Sequence, residues 1–205
     1  MKIMEKDNHY YTEGYSAESD PYALENWVLK NHFGITDSAS LNEIEADTAM
    51  IQIRELLNET SPNNFTPEHL CALHEQVFSK VYPWAGKFRK VDIAKGDTLF
   101  LKHQQIASEL KILFSNLANA NFLKNTTPTE FSEAIGNFII HLNLIHPFRE
   151  GNGRIQRLLV WQIAKNAGLT LDWQSVWNEA MKQACIAGTQ GTTRQMIRLI
   201  LLNIK

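Results

Sequence analysis

The sequence predicts an all-α protein: a helical bundle that carries one small β-hairpin. Three observations predict it. Apolar residues recur at three- and four-residue intervals through most of the 205 residues, the spacing that lines one face of a helix. Helix start and stop signals punctuate those runs, among them Thr66-Pro67-Glu68 and Gly168. One stretch departs from that texture: GKFRKVDIAKGDTLFLK, residues 86–102, alternates around the turn-like tetrapeptide AKGD.

Residues 1–20 are polar and rich in Tyr, Ser, Asp and Glu, so they are expected to form a loose N-terminal arm before one domain over residues 21–205. PYALENWVLKNHFGI, residues 21–35, reads as a short helix closing near Asn31 to Gly34. A second helix is expected from Ser40 as cap, with Glu43 three residues on as a capping box requires. Its apolar positions Leu41, Ile44, Ala49, Ile51, Ile53 and Leu56 roughly follow helical spacing. A third helix starts at Pro67 behind the Thr66 cap. The hairpin candidate follows, at about 88–102. Two strands alone are marginal in water, so it has to lean on the bundle or be kept for a task. HQQIASELKILFSNLANANFL returns to helical spacing. TPTEFSEAIGNFIIHLNLI is apolar on most sides, as a buried central helix is. RIQRLLVWQIAKNAGL is a helix stopped by Gly168, and WQSVWNEAMKQACIAG and TTRQMIRLILLNI complete the bundle.

Composition narrows the function classes. A net charge of −2 and the lack of a long basic run point away from nucleic-acid binding. The 44% hydrophobic share suits an ordinary core. Cys71 and Cys185 are far apart without metal-type spacing, which reads as free thiols of a reducing compartment. The N-terminus has no apolar h-region, and no apolar run reaches the ~18 residues of a membrane span. A bacterial cytoplasmic location is expected, unless a specialised machine exports the protein.

The chemistry concentrates in HPFREGNGR, residues 146–154, between two apolar helical segments. Gly151-Asn152-Gly153 opens a helix, where backbone N–H groups lack partners and the dipole is positive. That arrangement suits phosphate. Arg154 and Arg157 lie three residues apart on one helix face, and guanidinium forks bind phosphate oxygens bidentately. Glu150 would repel a bare polyphosphate, but Mg²⁺ resolves this, because it commonly uses one carboxylate plus phosphate oxygens. His146, at the mouth of the cradle, suits a general base. Taken singly, a Gly-Asn-Gly is usually a cap and a lone His usually structural. A base, a carboxylate, a nest and two arginines within twelve residues are far rarer. By themselves these residues imply transfer of a phosphorus-centred group to an alcohol.

The segment closely resembles the Fic family motif, His-x-Phe-x-(Asp/Glu)-Gly-Asn-Gly-Arg-x-x-Arg, filled here by His146, Phe148, Glu150, Gly151, Asn152, Gly153, Arg154 and Arg157. DPYALENWVLKNHFGI and VYPWAGKFRKVDIAKGDTLF are also similar to family segments. The resemblance implies a Fic-fold helical bundle with a hairpin flap and a protein adenylyltransferase that moves AMP from ATP to a Tyr, Thr or Ser hydroxyl. It implies His146 as base, Glu150 as the Mg²⁺ ligand, and Gly151, Asn152 and Gly153 as phosphate anchors with Asn152 near the α-phosphate. Arg154 and Arg157 would hold the β- and γ-phosphates. Phe148 is expected to pin the loop in the core. Pro147 supplies rigidity, and Arg149 has no assigned role.

The flap is expected to add a strand to a target protein through backbone bonds. Its expected tip is Ala94 to Asp97, with Ile93 and Phe100 as clamps and Lys95 near phosphate or target. Tyr82 and Trp84 are expected in the core, with the wall of the nucleotide site as the other reading. The family's inhibitory pattern, (Ser/Thr)-x-x-x-Glu-(Gly/Asn), is matched nearest by Ser175 to Glu179, which Ala180 follows. A separate small antitoxin docked near the N-terminal half is therefore expected. A type II topoisomerase subunit is the first target to consider. The alternatives are a Fic-fold transferase using UTP, phosphocholine or phosphate, a non-catalytic interaction module, and an exported effector acting in a host.

Overall fold

The computed structural model describes residues 20–96, 98–173, 176 and 178–205. The arm expected over residues 1–20 therefore lies, but for Asp20, outside the described residues, as do Asp97 and Ser175. Among the described residues the order is α1 (Ser38–Asn58), α2 (Pro67–Phe78), β1 (Ala94–Lys95), β2 (Thr98–Leu99), α3 (Ile106–Asn119), α4 (Pro128–Ile145), α5 (Asn152–Asn166), α6 (Asn178–Thr189) and α7 (Arg194–Asn203). The expected all-α class with one hairpin is the class found.

The central helix is α4. Thr127 and Glu130 form a reciprocal capping box: the Glu130 amide donates to Thr127 Oγ1, and the Thr127 amide donates to the Glu130 carboxylate at 2.8 Å. The helix buries Phe131, Ile135, Ile139, Leu142 and Ile145 and packs against α3, α5, α6 and α7. Each such side chain contributes about 1.5–3 kcal/mol over leaving it in water. Gly136 allows a close approach, because a Cβ there would sit 2.7 Å from Ile197 Cγ1 of α7. α2 starts as expected, with Thr66 Oγ1 accepting from the His69 amide at 3.2 Å.

Two expected helical stretches differ. Residues 21–35 form turns and a bridge between Ala23 and Leu29. Short polar side chains capture the backbone there. Asp20 Oδ1 accepts from the Tyr22 amide at 2.9 Å, and Asn31 Oδ1 accepts from the Phe33 and Ile35 amides. Such bonds compete with helix. α1 begins two residues before Ser40, because Asp37 is the cap and the Ser40 amide donates to it. Ahead of α6, which spans Asn178–Thr189, Leu171 bridges to Ile204 and Trp173 Nε1 donates to the Arg157 carbonyl at 2.9 Å; the expected helical positions 174, 175 and 177 lie outside the described residues.

Asp20 belongs to the folded body rather than to the arm. It is 2% exposed and accepts two hydrogen bonds from Arg149, which is 3% exposed, at 2.9 and 3.2 Å. Arg149, expected to be without a role, ties the loop between α4 and α5 to the chain's start. Removing one partner of a buried pair leaves a bare charge and costs about 3–5 kcal/mol. Asp20→Ala is expected to lower the urea midpoint accordingly, and Asp20→Ala combined with Arg149→Met is expected to recover most of the loss.

Candidate active site

The loop 146–151 joins the end of α4 to the start of α5, and its shape is imposed from outside. His146 closes α4 in the left-handed region, φ 47° and ψ 64°, a conformation that costs a non-glycine residue about 1–2 kcal/mol. Its amide donates to the Leu142 carbonyl at 3.0 Å. Phe148 is buried as expected, stacked on the His74 ring at 3.9 Å between centroids. Gly151 has φ 82°, and a Cβ there would lie 2.4 Å from the Phe78 ring. Only glycine satisfies both restrictions.

Asn152, expected near the α-phosphate, holds the loop with its side chain. It is 1% exposed, and its side chain closes onto one residue: Oδ1 accepts from the Phe148 amide at 2.9 Å, and Nδ2 donates to the Phe148 carbonyl at 2.7 Å. Asn152 therefore shapes the loop with its side chain. Intrahelical bonding in α5 begins with the Arg154 and Ile155 amides on the Gly151 carbonyl. The amides of Asn152 and Gly153 precede it at the positive end of the helix. Arg157 lies over this start, with Nη1 3.5 Å from where a Gly153 Cβ would be.

The imidazole of His146 is 4% exposed and stacks against Phe100 of the hairpin, 3.8 Å between centroids. It is thus roofed over rather than set in an open mouth. Nδ1 lies 3.0 Å from the Asn143 carbonyl. A carbonyl accepts, so Nδ1 carries the hydrogen and the lone pair is on Nε2. Burial, with Arg89 and Lys95 nearby, pulls the pKa down to about 3 against the pull of the Asn143 bond. Phe100 and Ile93, expected as clamps on a target, are instead 7% and 0% exposed in the core beneath the hairpin. Both are apolar positions whose burial is what holds a two-stranded hairpin to the bundle. Leu99, 61% exposed, is the large apolar side chain the hairpin presents to solvent. Ala94 and Lys95, expected at the tip, pair with Leu99 and Thr98 in the ladder.

Beside this loop a cavity of about 330 Å³ is walled by Glu150, Arg154 and Lys95 on one side and by Trp27, Leu41, Asn42, Glu45 and Tyr82 on the other. Tyr82 therefore serves both as a core residue and as part of the wall, while Trp84 stacks behind it at 4.4 Å. Glu45 was not legible as a site residue. It accepts from Arg154 Nη2 and from the Tyr82 hydroxyl. Glu150 Oε1 accepts from the Gly151 amide at 2.8 Å and lies 3.7 Å from Arg154 Nη2. Burial first, and the Glu45 carboxylate second, raise the Glu150 pKa. Two carboxylates line one cavity; Glu45 is taken up by Arg154 and Tyr82, which leaves Glu150 as the carboxylate that could hold a cation such as Mg²⁺ beside phosphate. Arg157, half-buried, has its pKa lowered by burial and by Arg154.

Residues 64–164 match the Fic/DOC family. The chain is 34% identical to the probable protein adenylyltransferase Fic of Salmonella typhimurium, covering 84% of this chain and 86% of that protein. The chain belongs to the Fic/DOC family. It is also 37% identical to the protein adenylyltransferase VbhT of Bartonella schoenbuchensis over 93% of its own length, and it spans 40% of VbhT. The BepC effector of Bartonella tribocorum, solved with AMPPNP, superposes with a TM-score of 0.83 at 29% identity, covering 90% of this chain and 96% of BepC.

One buried member of this Fic site escaped sequence reading. His74 of α2 is 0% exposed; its Nδ1 accepts from the Gly86 amide at 2.9 Å and its Nε2 donates to the Glu150 carbonyl at 3.0 Å. Burial pulls its pKa down to about 4. Both His74 and His146 are neutral in the folded chain, and both return to about 6.5 on unfolding. Between those values the unfolded chain binds more protons, so their contribution to stability is lost as pH falls below about 6.5. The urea midpoint of the unaltered chain is expected to fall more steeply between pH 6.5 and 4 than that of His146→Ala.

A phosphate forking onto Arg154 would compete with Glu45 for Nη2. Glu45→Gln is expected to tighten Mg-ATP binding about tenfold, the equivalent of one charge-assisted bond of about 1.4 kcal/mol, as read by calorimetric titration.

Proposed function

We propose that this chain is a protein adenylyltransferase, moving AMP from ATP to a Tyr, Thr or Ser hydroxyl of a target protein. The observation that carries the reading is the junction of α4 and α5. There the His146 imidazole, its Nδ1 turned to the Asn143 carbonyl, adjoins a helix start whose first amides, with Arg154 and Arg157 beside them, suit a polyphosphate. Relatives named protein adenylyltransferase and a structural relative solved with AMPPNP support the choice of ATP and AMP.

In this reading the amides of Asn152 and Gly153 receive phosphate oxygens, and Arg154 and Arg157 fork onto the β- and γ-phosphates. The target hydroxyl gives its proton to His146 Nε2 as its oxygen attacks the α-phosphorus. The α–β bridging bond breaks, and pyrophosphate leaves. Phe100 covers the imidazole, so the hydroxyl enters along the ring edge or displaces that side chain. Glu150 is the residue that would hold Mg²⁺, and the ion supplies positive charge to the phosphates when bound. The backbone of the hairpin is where an extended target segment would add, with Leu99 as its apolar contact.

Regulation by a small antitoxin protein is part of the proposal. α1 walls the cavity with Leu41, Asn42 and Glu45 and turns Ile44, Met50 and Ile51 to solvent, 36%, 63% and 54% exposed. That face suits a docked helix. A type II topoisomerase subunit is the first target to assay. A host protein is the second reading, because BepC is described as a translocated effector. Labelling with radioactive ATP and UTP in turn separates AMP transfer from UMP transfer; label from UTP alone overturns the reading. His146→Ala is expected to lower AMP transfer at least about 100-fold while binding of an ATP analogue persists, measured by lysate labelling and mass spectrometry for the adenylyl shift.

A further inference from the structure

Arg89 is a charged side chain with no solvent contact: its side chain is 0% exposed. It is not in the motif and does not line the cavity. Its donors go to four backbone carbonyls from two separate parts of the chain. Nε donates to the His146 carbonyl at 2.8 Å, and Nη2 donates to the Ile145 carbonyl at 3.2 Å. Nη1 donates to the Val91 carbonyl at 2.6 Å, and Nη2 also reaches the Leu101 carbonyl. Its own amide donates to the Pro147 carbonyl at 2.9 Å. Val91 and Leu101 are on opposite arms of the hairpin, while residues 145–147 end α4 and begin the loop.

The hairpin is also bonded to α4 by the Leu101 amide on the Leu144 carbonyl at 3.0 Å. A two-residue ladder cannot fix its own position. The last carbonyls of a helix have no partner within it, and one buried guanidinium supplies both wants. Asp92 Oδ1, 3.8 Å from Nη1, lies beside the cation and also accepts from the His103 amide at 2.7 Å, which closes the base of the hairpin. Burial lowers the Arg89 pKa to about 10, so the cation persists at neutral pH.

We infer that Arg89 is a positioning residue for the transfer reaction, a rigid tie that sets the distance between the base on His146 and any target strand seated on the hairpin. The inference rests on the adenylyl-transfer reading for its consequence, but the tie itself does not. A planar fork is required, since a lysine ammonium is a point donor that cannot serve carbonyls spread over both elements.

The test compares the unaltered full chain with Arg89→Lys and Arg89→Met. AMP transfer, binding of a non-hydrolysable ATP analogue, and amide hydrogen exchange at His146, Leu101 and residues of α7 are read on each. Transfer by Arg89→Lys is expected to fall about 100-fold, the effect of misplacing a reacting group by roughly an ångström, with analogue binding unchanged. Exchange at His146 and Leu101 is expected to quicken together while α7 keeps its protection. Transfer at the original rate, or loss of analogue binding and α7 protection alongside transfer in both variants, overturns the proposal. If the unaltered chain moves no AMP, the functional reading fails by itself. The tie is then judged on exchange alone: joint quickening at His146 and Leu101 upholds it, and no change sinks it.

Discussion

The end of α4 faces a polar debt that its own sequence cannot settle: buried carbonyls at residues 145–147 with no helical donor beyond them. Arg89 brings donors to all three, two through its guanidinium and one through its amide. A buried carbonyl left bare costs about 1–3 kcal/mol, so this set of bonds outweighs the strain of a left-handed His146. Everything that bears on chemistry is hung from that arrangement. The imidazole leaves the helix in a fixed direction, the loop turns back through Phe148, and α5 starts where Gly151 and Asn152 allow it.

From the other side the same loop is gripped by His74, Asn152 and Arg149. Each grip is made by a buried polar side chain, so each bond is worth more and its loss costs more. The loop is therefore not a flexible connection despite two glycines. It is a rigid element without regular structure, which is what a group-transfer site requires of its base and its anion cradle. The cavity beside it has the opposite character. Glu45, Glu150, Arg154 and Lys95 line it together, two carboxylates and two cations, with Arg154 paired to Glu45 and near Glu150.

The sequence carried the family motif, the bundle, the cap at Thr66 and the buried character of α4, because those depend on neighbours within a few positions. It misread residues 21–35, where apolar spacing resembled a helix but Asp20, Asn26 and Asn31 capture the backbone in turns. It also placed Ile93 and Phe100 as clamps on a target, since alternation in a short strand does not say which face meets the bundle. The motif marked Asn152 without showing that its amide group closes the loop on Phe148.

What the sequence by itself determined is local: helix spans set by periodicity and caps, a glycine where no other residue can turn, and a motif whose residue types suit phosphate and a proton acceptor. What only the tertiary structure decided is which distant side chains complete those pieces. Glu45 reaches Arg154 across 109 residues, Arg149 reaches Asp20 across 129, and His74 reaches the Glu150 carbonyl across 76. No pattern in the chain encodes such pairings, because they depend on how helices pack, and packing is fixed by the shape of the whole core rather than by any spacing along it.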